Sequence, residues 1–68
     1  MDYVGKMIAK LRKKNYMTQD QLAQKLNVTF QAVSKWENST SVPDFQTIIL
    51  LSKIFDVSIY EFVEEKGE

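Results

Sequence analysis

The stretch TQDQLAQKLNVTFQAVSKWEN, residues 18–38, constrains the fold of this chain more than any other. Thr18 followed three residues later by Gln21 has the spacing of a capping box. A hydroxyl there accepts from the exposed N–H groups of a helix start, an amide reaches back, and a helix begins. Leu22, Ala23 and Leu26 give that helix one apolar face. Asn27 tolerates the left-handed conformation that stops a helix, Val28 supplies an apolar plug, and Thr29 offers a second N-cap. A second helix therefore starts at about Phe30. At about 100° per residue, Ala32, Val33 and Trp36 share one side, and Gln31, Ser34, Lys35 and Asn38 share the other. The first side is fit for a core; the second carries donors, acceptors and one cation.

The flanking segments read as supports. From about Tyr3 to Lys14, Val4, Ile8 and Leu11 recur at helical spacing with Met7 beside them, while Lys6, Lys10, Lys13 and Lys14 lie away from that stripe. This helix is expected to end near Asn15-Tyr16, with Asn15 the better residue for a positive φ. After the central stretch, residues 39–42 read as a loop. Pro43-Asp44 ends it, since Pro sits outside a helix or in its first turn. Residues 44–55 are apolar on almost every side, which predicts a helix at the centre of the domain. Ser58 and Glu61 repeat the capping-box spacing and start a last helix with Ile59, Phe62 and Val63. The tail, residues 64–68, is charged and expected to fray. The expectation is an all-α bundle of five short helices forming one domain, residues 1–68.

Sixty-eight residues leave room for one core of marginal size. With no Cys there is neither a disulfide framework nor a thiolate metal site, and with no His the commonest metal ligand and general base is missing. Neither a cofactor nor catalysis is expected; carboxylates at Glu61, Glu64, Glu65 and Glu68 form a charge run of the kind that is usually solvated. No apolar run approaches the roughly 18 residues of a membrane span, so the expectation is a soluble cytoplasmic protein without a membrane partner or small-molecule ligand. Net charge is zero, but residues 1–36 hold seven basic against two acidic side chains, +5, and residues 37–68 carry the balancing −5. A dipolar molecule of this kind can turn a positive face to DNA and keep its acidic end in solvent.

In the combination of Thr18-Gln19, Leu22-Ala23, Val28, Val33-Ser34 and Trp36-Glu37-Asn38, the chain resembles the helix-turn-helix of the phage repressor and Cro family, also called the Xre family, from about Val4 to Val63. The resemblance implies a transcriptional regulator, most often a repressor, whose recognition helix, about 30–37, enters the major groove of double-stranded DNA. It also implies an ion pair between Arg12 and Glu37. Carried over by position, Gln31 suits adenine, Lys35 suits guanine or a phosphate, and Ser34 reaches either. Thr29 and Asn38 join the same surface, and Gln19 resembles a phosphate-contacting residue at the start of the first motif helix. The family usually has Gly where Tyr16 stands, and many members have a Gly and a basic residue where Ser39 and Thr40 stand. Thr40 keeps a hydroxyl for phosphate but no charge. Phe30 takes a place often polar or basic, where an aromatic ring either touches a thymine methyl or packs against the domain.

The alternative is a protein-interaction module, antitoxin-like or a regulatory partner, because fold does not fix function. An interaction surface favours apolar and aromatic anchors, and Phe30 alone on the polar side speaks for it. Symmetric operators match symmetric proteins, so a homodimer on a palindromic operator is expected, weak off DNA; Tyr60 and Val63 on the last helix are surplus to its core-facing stripe and either form the interface or cap the core.

Overall fold

Helix starts in this protein are made by side chains. In the computed structural model, which describes residues 3–63, Thr18 Oγ1 accepts from Gln21 N at 3.0 Å while Gln21 Oε1 accepts from Thr18 N at 2.8 Å, completing a capping box. Thr29 Oγ1 accepts from Ala32 N at 3.2 Å and Asp44 Oδ1 from Thr47 N at 2.9 Å. Hydrogen bonds from the Thr47 side chain and backbone hold the Asp44 carboxyl below the usual carboxylate range. The helices are α1 (Tyr3–Lys14), α2 (Gln19–Leu26), α3 (Phe30–Glu37), α4 (Phe45–Phe55) and α5 (Tyr60–Val63), and the described residues contain no strand. At α5, Ser58 Oγ accepts from Tyr60 N at 3.1 Å, two residues on. The charged tail, 64–68, lies outside the described residues.

Helix ends share one device. Tyr16, Asn27, Ser39 and Asp56 sit at φ of 59°, 59°, 66° and 56°. After each, the next N–H returns to the carbonyl five residues back: Met17 to Arg12 at 3.0 Å, Val28 to Ala23 at 3.0 Å, Thr40 to Lys35 at 2.9 Å, Val57 to Ser52 at 2.9 Å. This is the Schellman closure, and Gly is its usual left-handed residue. Asn and Asp bear that conformation well; Tyr and Ser bear it at a cost. The expectation that Asn15 would take the left-handed position is corrected. Asn15 stays at the end of α1, where its Nδ2 donates to Leu11 O at 2.7 Å, and the reversal passes to Tyr16.

The core gathers Ile8 and Leu11 of α1, Leu22, Ala23 and Leu26 of α2, Val33 and Trp36 of α3, Ile48, Leu51 and Phe55 of α4, and Phe62 of α5. Met17, Val28 and Val57, each following a left-handed residue, pack against it. The expectation of a helix at the centre of the domain holds for one flank of α4 only. Ile48, Leu51, Ser52 and Phe55 are buried, but Phe45 and Leu50 are exposed, because α4 has neighbours on one flank, α1 and α2 among them, and solvent on the other. No sequence pattern marks Gly5. It lies buried where α1 crosses the end of α3, and a Cβ there would stand 2.1 Å from the Trp36 carbonyl oxygen. The two backbones approach so closely that only Gly fits.

Two substitutions test this account in opposite directions. Tyr16 is 94% exposed, so Tyr16→Gly removes backbone strain and little packing, and is expected to raise stability by about 1 kcal/mol in urea unfolding. Gly5→Ala forces α1 and α3 apart and is expected to lower stability by about 2 kcal/mol or more. A stabilising Gly5→Ala would show that α1 does not cross α3 at backbone contact.

Candidate nucleic-acid interface

A helix that presents a reading surface must first be held by its other side. In α3, Val33 and Trp36 are buried and Ala32 packs against the core, which turns Gln31, Lys35 and Asn38 to solvent with Ser34 half-buried between them. Among the described residues, no hydrogen bond or ion pair engages the side chains of Gln31, Ser34, Lys35 or Asn38. Their donors and acceptors are left unengaged within the described protein. Thr29 is committed to capping α3, and Thr40 Oγ1 donates to Lys35 O at 3.2 Å, closing the other end of the same helix. Phe30 is 47% exposed and is not one of the buried core residues.

At the inner edge, one carboxylate ties three helices together. Arg12 Nε donates to Glu37 Oε2 at 2.7 Å and Arg12 Nη2 to Glu37 Oε1 at 3.0 Å, a two-pronged pair between α1 and α3. Arg12 Nη1 donates to the Met17 carbonyl at 2.8 Å, and Gln19 Nε2 of α2 adds a bond to Glu37 Oε1 at 2.9 Å. The side chains of Arg12 and Glu37 are 12% and 8% exposed. Burial pushes the Glu37 carboxyl up, but hydrogen bonds from Arg12 and Gln19 and the charges of Arg12 and Lys13 outweigh it, so Glu37 ends below the ordinary carboxylate range. The bond to Glu37 raises the Arg12 guanidinium further, against the opposing effect of burial.

The structure thus brings Phe30, Gln31, Ser34, Lys35 and Asn38 onto one face and places Thr29 and Thr40 at its two ends. Gln19 is set apart. Its amide nitrogen faces inward to Glu37, and what it offers outward is the backbone N–H of a helix's first residue. Sequence reasoning does not connect Gln19 with Glu37, since no periodicity links residues on different helices. The shared carboxylate is visible only once α2 and α3 are docked. On α1, Lys6, Lys10, Lys13 and Lys14 are exposed, a cationic flank beside the α1–α2 turn.

Removing the carboxylate leaves Arg12 buried without its counter-charge, so Glu37→Ala is expected to cost roughly 3 kcal/mol, well above a surface pair. Because the native Glu37 value lies below the ordinary one, its contribution is present above the ordinary Glu range and is lost as pH falls through the native value. Urea unfolding from pH 7 down to pH 3 should show that loss in the parent chain and a shallower acid slope in Glu37→Ala. A loss under about 0.5 kcal/mol would mean that the pair is solvated.

Comparison with known proteins places this geometry. A helix-turn-helix family matches residues 8–62, which span α2, the turn and α3. The chain is 38% identical over 56 residues to the HTH-type transcriptional activator BcrR of Enterococcus faecalis, covering 82% of this chain and 28% of BcrR. It is 38% identical over 52 residues to the uncharacterized HTH-type transcriptional regulator YqaE of Bacillus subtilis (strain 168), covering 76% of this chain and 45% of YqaE. The chain therefore spans less than half the length of either curated relative. It is also similar to the P22 c2 repressor protein, solved in complex with a synthetic operator, at a TM-score of 0.81 and 30% identity over 91% of this chain and 96% of that one. With the family matched over most of the chain and the all-helical fold shared with the P22 c2 repressor, the chain belongs to the Cro/C1-type helix-turn-helix family of transcriptional regulators.

Proposed function

We propose that this chain is the sequence-specific, double-stranded DNA-binding module of a transcriptional regulator, with α3 lying in the major groove. One observation carries the reading: Gln31, Ser34, Lys35 and Asn38 have no partners inside the described protein, on a helix whose other side is locked into the core. The major groove admits a helix and displays a distinct donor and acceptor pattern for each base pair, which is the complement such a row requires. The P22 c2 repressor, similar in fold, was solved on operator DNA, which supports the same use here.

The roles divide by chemistry. Gln31 pairs with an adenine edge, Lys35 with guanine or a phosphate, and Ser34 and Asn38 with whichever edge falls beneath them. Phosphates are met by the first backbone N–H groups of α2 at Gln19, by the Thr29 hydroxyl, which accepts from Ala32 N and keeps its proton to donate, and by the lysines of α1; Thr40, whose proton goes to the Lys35 carbonyl, closes the end of α3 instead. No helix among the described residues is long and apolar enough to cross a membrane. Repression, which the family resemblance favours, requires only that the module occupy its operator; BcrR carries the name of an activator. A homodimer on a palindromic site follows from the small footprint of one recognition helix, with exposed Tyr60 and Val63 of α5 as the contact. The protein-interaction reading draws on exposed Val42, Phe45 and Leu50, but these belong to the loop and α4, leaving α3 to the polar row.

Selection from random duplex DNA is expected to enrich a palindrome with half-sites about one helical turn apart. On that operator, Gln31→Ala should cost about 1 to 3 kcal/mol, with little effect on scrambled DNA. Neutralising Lys13 or Lys14 should weaken both duplexes alike and reduce the salt slope by about one for each phosphate no longer neutralised. If no sequence is enriched, or Gln31→Ala binds the operator as the parent does, the protein-interaction reading takes its place.

A further inference from the structure

Phe30 is the one large apolar side chain on the outward face of α3, and it heads a row. Residues 30, 34 and 38 recur every four positions along the helix, so Phe30 stands in line with Ser34 and Asn38, while Gln31 and Lys35 form the adjacent row. Side chains on a helix lean toward its N-terminus, so a residue in first position reaches past the helix end. In a helix-turn-helix, that end meets the base edges. Phe30 is 47% exposed and is not one of the buried residues of the core, so the exposed half of its ring is available to a partner at that leading edge.

A phenyl ring offers no donor or acceptor, and among the major-groove edges of the bases the apolar feature is the methyl group on pyrimidine C5. We propose that Phe30 reads a C5-methyl pyrimidine, thymine or 5-methylcytosine, at one position of each half-site. The inference rests on the DNA-binding reading and deepens it: the hydrogen-bonding residues recognise base edges, and Phe30 adds a contact that senses one methyl group and no polar atom. Withdrawing a methyl from water against the ring is worth a factor of roughly four in affinity.

The test uses the operator obtained by selection, at one fixed salt concentration. Each thymine of a half-site is replaced in turn by uracil, which deletes the C5 methyl and keeps every hydrogen-bonding group. At the position so identified, T·A is also replaced by C·G with and without a 5-methyl group. The parent chain should lose roughly fourfold per half-site for uracil at one position and regain a similar factor when the cytosine there is methylated. Phe30→Ala and Phe30→Gln, both outside the core and checked by thermal melting, should bind with the same affinity whether that methyl is present or absent. An operator on which uracil costs nothing anywhere, or variants that stay as methyl-sensitive as the parent, would overturn the inference while leaving the DNA-binding reading intact. A chain that enriches no sequence contradicts both.

Discussion

The Arg12–Glu37 pair is the interaction on which the rest of the arrangement depends. It joins α1 to α3 through two hydrogen bonds, holds the α1–α2 turn through the Met17 carbonyl, and takes Gln19 of α2 as a third partner. Two charges withdrawn from water are costly, and the cost is met only if the remaining polar atoms are also satisfied. Here the carboxylate takes three hydrogen bonds and the guanidinium makes three, and no buried side-chain polar atom among the described residues lacks a partner. Apolar contacts alone would allow α3 to rotate or slide by a fraction of a turn. A two-pronged bond with defined geometry does not, and the row that begins at Phe30 depends on that register.

The close approach at Gly5 works toward the same end. Backbone contact between α1 and α3 at the Trp36 carbonyl sets their separation, while the ion pair sets their rotation. Short Schellman closures after α1, α2, α3 and α4 then let five helices fold back on one another. None of the left-handed positions carries Gly, so the turns bear a small strain that core burial offsets. Tyr16 is the costliest occupant, placed beside the lysines of α1 and the start of α2.

What sequence reveals and what it hides follow from the range of the physics involved. Helix starts are legible at Thr18 and Thr29 because a capping oxygen acts over three residues, whereas at α4 Pro43 marks the boundary and the cap from Asp44 emerges only in the structure. The end of α2 is legible at Asn27, whose residue type announces a left-handed turn. α1 ends where expected, but its left-handed residue falls one position later because Asn15 bonds the Leu11 carbonyl, which leaves the reversal to a Tyr that gives no such signal. Composition makes α4 look central on all sides, but which of its apolar residues are covered depends on neighbours far away in the chain. Gly5 and the Gln19–Glu37 bond are hidden for the same reason, since each arises from contact between helices. Within the candidate interface, the polar row of α3 is visible as a helical face. That Phe30 stands clear of the core is a fact of tertiary packing.

A rigid scaffold with an unengaged polar row on one helix is the central claim, and mapping the bound surface atom by atom tests it most directly. Backbone and side-chain amide resonances should be followed by NMR while the selected operator is added, with a scrambled duplex as control. The account predicts operator-specific shifts concentrated at Phe30, Gln31, Ser34, Lys35 and Asn38, and shifts common to both duplexes at Gln19, Lys13 and Lys14. The Arg12 and Glu37 signals should stay close to their free positions. Shifts centred on Val42, Phe45 and Leu50 with α3 unmoved would contradict the account and assign the working surface to the loop and α4.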